Sequence, residues 1–257
     1  MLGRTVRLSE SAAVLTVVLN RPDRQNSITS ALLADLHHAL DRAEQSPTCR
    51  LVVIRGEAGI FSMGMDLAEA GTAGAGTDEL AENGAREFLG LLRRLTTIGR
   101  VVVSQVDGTA AGGGVGIAAA SDFVYATPRS RFSLPEALWG LLPCCVLPFL
   151  IRRVGFQKAY AMTLGTHPVG AEQAARSGLV DEVTDDPDAA LRRLLMRASR
   201  IDGATVADTK RYFDQLWIIS EQTEAAAVRE FGRLMSSAPV RRRIADFAAH
   251  GKFPWES

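Results

Sequence analysis

The chain has 257 residues, and its 29 Lys+Arg balance 29 Asp+Glu. That length can bury a full core in one large domain, and a neutral chain has no general electrostatic pull on nucleic acid or an anionic membrane surface. Three cysteines without a spaced framework, no leader-like N-terminus and no apolar run of membrane length lead to the expectation of a cytoplasmic protein that crosses no membrane.

Residues 14–20 (VLTVVLN) form a β-branched run that stops at Arg21-Pro22, where proline ends a ladder. Residues 30–45 place Leu33, Leu36, Leu40 and Ala43 three and four apart, the stripe of an amphipathic helix. Residues 51–54 (LVVI) read as a second buried strand, so the order strand, helix, strand predicts a right-handed crossover. Residues 71–77 (GTAGAGT) have little to pack and read as a mobile surface loop or lid. Further strands are expected at 101–106 (VVVSQV) and 123–126 (FVYA), with a Gly-rich turn running into small helix-compatible residues over 110–121. Beyond Pro135 the pattern turns helical. From about residue 188 it is almost entirely helical and reads as a segment apart from the sheet core, ending in Phe253-Pro254-Trp255, whose bulk suggests a docked end.

Two glycine-containing turns follow strands: Phe61-Ser62-Met63-Gly64-Met65-Asp66-Leu67, and Gly108 to Gly116 with Gly112, Gly113 and Gly114 in a row. Glycine permits close backbone approach, and amides freed in such turns can converge on one anionic oxygen, helped by the positive end of a helix. Either turn alone is most simply a strand-to-helix packing device; together they suggest an oxyanion hole. The spacing at Gly114, Gly116 and Ala119 also matches a dinucleotide fingerprint, but the strand at 123–126 is followed by Thr127-Pro128-Arg129-Ser130, with no acid for a ribose. Glu136 follows Pro135 at a helix start. It is either a carboxylate favoured by the helix N-terminus or an acid/base beside an apolar wall of Leu, Trp and Phe. His37 and His38 are expected to be solvated, His167 structural, and Cys144 and Cys145 buried thiols.

The order and spacing of these segments resemble the crotonase superfamily of enoyl-CoA hydratases and isomerases. The resemblance rests on Asn20-Arg21-Pro22 with Asn26, the Phe61 and Gly108 turns, Ser121-Asp122, residues 133–143 and residues 171–180 (AEQAARSGLV). It implies an α/β fold, a spiral of ββα units over 1–190 with a C-terminal helical region over 191–257 used for assembly into a homotrimer or a dimer of trimers. It places the oxyanion amides at Met65 and Gly113, with Met63, Gly64, Asp66, Gly112 and Gly114 shaping the substrate site. Gly116 falls where two-carboxylate hydratases carry one catalytic Glu, and Glu136 where they carry the other; the single carboxylate looks more like the isomerases.

The apolar, Cys-containing stretch 141–155 with Phe156-Gln157-Lys158-Ala159 is similar to crotonase-like enzymes of polyketide β-branching. That similarity implies decarboxylation, with or without double-bond movement, of a 3-methylglutaconyl-type group on an acyl carrier protein. No metal or redox cofactor is implied. Enzymes of that type place a Lys after the first oxyanion turn, yet Lys occurs only at Lys158, Lys210 and Lys252, which leaves Arg86 as the nearest substitute. Phe247-Ala248-Ala249-His250 puts His250 where CoA enzymes carry a Lys. The alternatives are a CoA-dependent enoyl isomerase or hydratase, and a non-catalytic thioester-binding subunit.

Overall fold

The computed structural model describes residues 5–11, 13–67, 69, 78–217 and 220–256. The segment 71–77, read above as a lid, lies outside these residues. The main sheet is built from β1 (Val6–Ser11), β2 (Val14–Leu19), β3 (Leu51–Arg55), β5 (Val101–Val106), β7 (Phe123–Ala126) and β10 (Glu182–Val183), in that spatial order. β1 and β2 form an antiparallel hairpin, and every other pair is parallel, as the strand–helix–strand pattern predicts.

A parallel sheet covered on both faces needs strands that are apolar throughout, and β3 shows why its run is unbroken. Val52 and Ile54 face the large core beneath the helices Ser30–Gln45, Asp78–Thr97 and Gly113–Ala120, whereas Leu51 and Val53 face a second cluster with Val103 and Tyr125. That second face is closed by Ala190 and Ala198 of the helix Pro187–Ala198, with Leu191, Leu194 and Leu195 packed alongside. The first helix of the C-terminal region is therefore a layer of the sheet core, not a segment apart from it, and position 190 falls inside that helix. Downstream, the helix Glu221–Met235 packs on Asp78–Thr97, and Ala238–His250 packs on the short helix Glu136–Trp139. The terminal aromatics dock, with the Trp139 ring meeting Phe247, Phe253 and Trp255 at centroid distances of 5.3, 6.2 and 6.1 Å.

A second sheet, in the order β4 (Ile60–Ser62), β6 (Thr109–Ala111), β8 (Arg131–Ser133) and β9 (Val169–Gly170), stacks successive turns of the spiral. Its first three strands are parallel neighbours, so the turns that leave them lie side by side. Among the described residues no helix is long and apolar enough to cross a membrane.

Candidate active site

The turn leaving β4 is held by Ile28. The Ile28 amide donates to Gly64 O at 2.7 Å and the Asp66 amide donates to Ile28 O at 3.2 Å. Backbone groups alternate sides along an extended chain, so the Met65 N–H between these two bonds points away from Ile28. The turn leaving β6 starts the helix Gly113–Ala120, whose first amide has no carbonyl within the helix to meet. Gly64 has φ +80°, and a Cβ built there would stand 3.0 Å from both Ala111 O and Gly113 N. The two turns therefore touch, and only a residue without a side chain allows the contact.

Asp66 anchors the first turn. Its Oδ2 accepts from Ser27 Oγ at 2.8 Å and from Arg21 at 3.4 Å, while Oδ1 accepts from the Glu69 amide at 3.1 Å and from Arg24 at 3.4 Å. Burial by itself would raise the Asp66 pKa. The Glu69 amide, the Ser27 hydroxyl and the two guanidinium groups outweigh it and hold the carboxyl below its ordinary value. The Asn20-Arg21-Pro22 motif with Asn26 belongs to the same scaffold, because Asn26 Oδ1 accepts from the Arg21 amide at 2.8 Å and Asn26 Nδ2 donates to Ile60 O at 2.8 Å. Asp66 is thus committed to positioning.

Glu136 leaves β8 through Pro135 and opens the four-residue helix Glu136–Trp139. A helix this short has little dipole, and burial decides the carboxyl's behaviour. The Oε2 atom is out of reach of solvent and has no hydrogen-bond partner. Burial raises the pKa to about 7, against a smaller lowering by its own amide. A Cβ built on Gly112 would stand 2.9 Å from Glu136 Oε1, so the carboxyl lies beside the second turn.

Met63, Met65, Asp66, Gly112, Gly113 and Glu136 line one cavity of about 640 Å³. Its other walls are mostly hydrocarbon, including Leu33, Phe88, Trp139, Leu141, Phe231, Met235 and Ile244. Cys144 and Cys145 also line it, and burial pushes their thiols up to about 11 and about 12. The C-terminal helices supply part of the wall, which joins them to the site as well as to the core.

Gly64, Arg86, Gly114 and His250 stand outside the cavity lining, and His37 is less exposed than the sequence suggests. Arg86 does not reach the cavity; it is an exposed helix residue paired with Glu82 at 2.6 Å and Asn83 at 2.9 Å. His250 stands exposed at the end of its helix, outside the cavity lining. Gly114 likewise lies off the cavity and serves close packing, since a Cβ there would stand 2.4 Å from Ser62 O. His37 is half-buried and not simply solvated: Arg94 Nη1 donates to its carbonyl at 3.0 Å, and burial followed by the Arg94 charge lowers its pKa.

Gly116 faces hydrocarbon, where a Cβ would meet Val146 at 2.9 Å, Phe88 at 3.3 Å and Leu92 at 3.4 Å. There is no room for a second carboxylate. Sequence reasoning missed two charged residues of the lining, Glu69 and Arg241, of which Arg241 is the basic one among the described residues. The only signal of Arg241 in the sequence is its spacing to Ile244 and Ala245. Among the described residues no group of three or more His, Cys, Asp or Glu side chains is placed to hold a metal.

Residues 9–257 match the family model for enoyl-CoA hydratase/isomerase. The chain is 32% identical to the bacillaene synthase dehydratase PksH of Bacillus subtilis (strain 168), over 98% of this chain and 97% of that protein. It is 33% identical to the 1,2-epoxyphenylacetyl-CoA isomerase of Escherichia coli (strain K12), over 67% of each chain. A solved Bacillus subtilis structure, described as a polyketide biosynthesis enoyl-CoA hydratase (pksH), superposes with a TM-score of 0.89 at 31% identity. That match covers 98% of this chain and 100% of the other.

Proposed function

The chain belongs to the enoyl-CoA hydratase/isomerase family, and from that premise we propose that it removes water from a β-hydroxyacyl thioester through an enolate, on an acyl carrier protein of a polyketide pathway. The observation that carries this reading is one buried carboxyl, Glu136, beside two touching turns that open on the same cavity. In this mechanism the thioester carbonyl oxygen accepts from the Met65 and Gly113 amides. Glu136, ionised, takes a proton from the α-carbon, and the charge moves to that oxygen. The enolate then re-forms the carbonyl, the β-carbon–oxygen bond breaks, and Glu136 returns the proton to the leaving hydroxyl as water. The two transfers are sequential, so one carboxylate suffices and hydrocarbon at Gly116 is no obstacle. Each oxyanion donor is worth roughly 3–4 kcal/mol in the transition state. The likeness to PksH, named a dehydratase, supports this direction of reaction.

A second reading is decarboxylation of a 3-methylglutaconyl group. The same amides would hold the dienolate left by CO2, and a Glu136 that titrates at about 7 remains partly protonated near neutral pH, able to return a proton to carbon. The pH dependence separates the two. With Glu136 as base, kcat/KM rises with pH through about 7; with Glu136 as acid, it falls over the same range. The test supplies a 3-hydroxy-3-methylglutaryl and a 3-methylglutaconyl thioester on a carrier protein and reads loss of water or of CO2 by mass. Turnover of neither, with acyl-carrier binding intact, would leave a non-catalytic subunit; turnover of enoyl-CoA substrates alone would move the protein to CoA-dependent catabolism. Assembly as a homotrimer or dimer of trimers is part of the proposal. Phe156, Tyr160, Leu164, Phe213 and Leu216, all more than half exposed, support it, and light scattering tests it.

A further inference from the structure

Two N–H groups serve one oxygen only when both are held in direction, and Met65 lies in the turn that leaves β4. The Met65 N–H shares a peptide plane with the Gly64 carbonyl, which the Ile28 amide holds at 2.7 Å. Gly64 has φ +80° and no side chain to limit its torsions. Its geometry is therefore fixed only when the peptide plane on its other side is held as well. Ser62 holds that plane. It is buried at the end of β4, and its Oγ accepts from the Gly64 amide at 3.2 Å while donating to Asn26 O at 2.8 Å. Asn26 in turn is held through its side chain, by the Arg21 amide and Ile60 O.

Ser62 also meets the second turn. A Cβ built on Gly114 would stand 3.0 Å from Ser62 Cβ, so the start of the helix Gly113–Ala120 rests on this residue, one position after the Gly113 amide. A buried hydroxyl there only to satisfy the Asn26 carbonyl would need no second bond. Here its acceptor side goes to the amide of the glycine that aims Met65. Ser62 is not part of the cavity lining, so it touches no substrate and acts through the main chain.

We propose that Ser62 is a positioning residue of the oxyanion hole: its hydroxyl holds the Gly64 amide and thereby sets the direction of the Met65 N–H toward the thioester oxygen. This role deepens the function proposed above and rests on it. Without the hydroxyl, the Gly64 amide and Asn26 O lose a partner in a buried place, and the glycine relaxes to torsions that turn the Met65 N–H aside. Substrate still enters, because the walls that bind it are untouched. What is lost is support for the charge on oxygen, which grows only as the enolate forms.

The experiment compares wild type, Ser62→Ala and Ser62→Cys by three readouts. On a 3-hydroxy-3-methylglutaryl carrier-protein thioester, Ser62→Ala is expected to lower kcat about 10–100-fold with KM within about threefold. The pH midpoint set by Glu136 stays where it is. Ser62→Cys, whose thiol is a weak donor and acceptor, falls between. The second readout is the infrared band of a saturated acyl thioester, isotope-labelled at its carbonyl and with no β-hydroxyl to lose. Wild type moves that band below its position in free thioester, and Ser62→Ala returns it part of the way. The third is hydrogen exchange of the unliganded protein read by mass, which should quicken over residues 61–67 in Ser62→Ala and not in β2. A kcat within about twofold of wild type, an unmoved carbonyl band, or exchange that quickens equally in β2 overturns the proposal. If Ser62→Ala does not fold, Ser62→Cys carries the same three readouts. The functional reading fails separately, if wild type turns over no thioester; the carbonyl band and the local exchange then still decide for or against Ser62.

Discussion

Replacing Glu136 by Gln is expected to remove activity and to stabilise the fold at alkaline pH. The carboxyl is desolvated, its Oε2 is unpartnered, and its pKa stands at about 7 against an ordinary 4.5. Between those values the native chain keeps a proton that the unfolded chain has released. The unfolded state binds fewer protons, so stability falls as pH rises: it is full below about 4.5 and lowest above about 7. The interval of 7 − 4.5 = 2.5 units, at about 1.4 kcal/mol per unit, amounts to about 3 kcal/mol as an upper bound. Gln has the same shape and cannot ionise. Urea unfolding of both proteins from about pH 4.5 to about pH 8.5 should therefore show similar stabilities at the acid end and a gap of up to about 3 kcal/mol in favour of the variant at the alkaline end. Turnover by the variant should fall by about 10²–10⁴-fold, the range of a lost general acid/base. A gap that does not change with pH would mean that Glu136 does not titrate near neutrality and does not carry the proton in the reaction.

Gly64→Ala puts a methyl group 3.0 Å from Ala111 O and Gly113 N at φ +80°, so it should separate the two turns. We expect about 10²-fold lower kcat with only about 1–2 kcal/mol of destabilisation, measured by steady-state kinetics and thermal melting. Gly116→Glu should not create a hydratase. It drives a carboxylate into Val146, Phe88 and Leu92 and is expected to destabilise by about 3 kcal/mol or more, read by urea unfolding beside an enoyl hydration assay. The thiols of Cys144 and Cys145, raised to about 11 and about 12, together with the buried Cys49, should react slowly with a disulfide reagent near pH 8 and rapidly after unfolding. Fast labelling of the native protein would mean that these thiols are open to solvent after all.

Periodicity and local chemistry are properties of neighbouring residues, and these the sequence by itself determined. The β-branched runs of β2, β3 and β5 and the leucine stripe of Ser30–Gln45 mark the parallel sheet and its first crossover. The glycines of the two turns and Pro135-Glu136 mark the site, because close backbone approach and a carboxyl at a helix start need those residue types. Strands of three residues such as β4, β6 and β8 are too short to carry a period, so the second sheet was not legible. Only tertiary structure decided that Glu136 is desolvated, that Arg86 points outward and that Arg241 lines the cavity. A helical arginine looks the same in sequence whichever way its helix lies, and what it meets depends on packing between elements far apart in the chain.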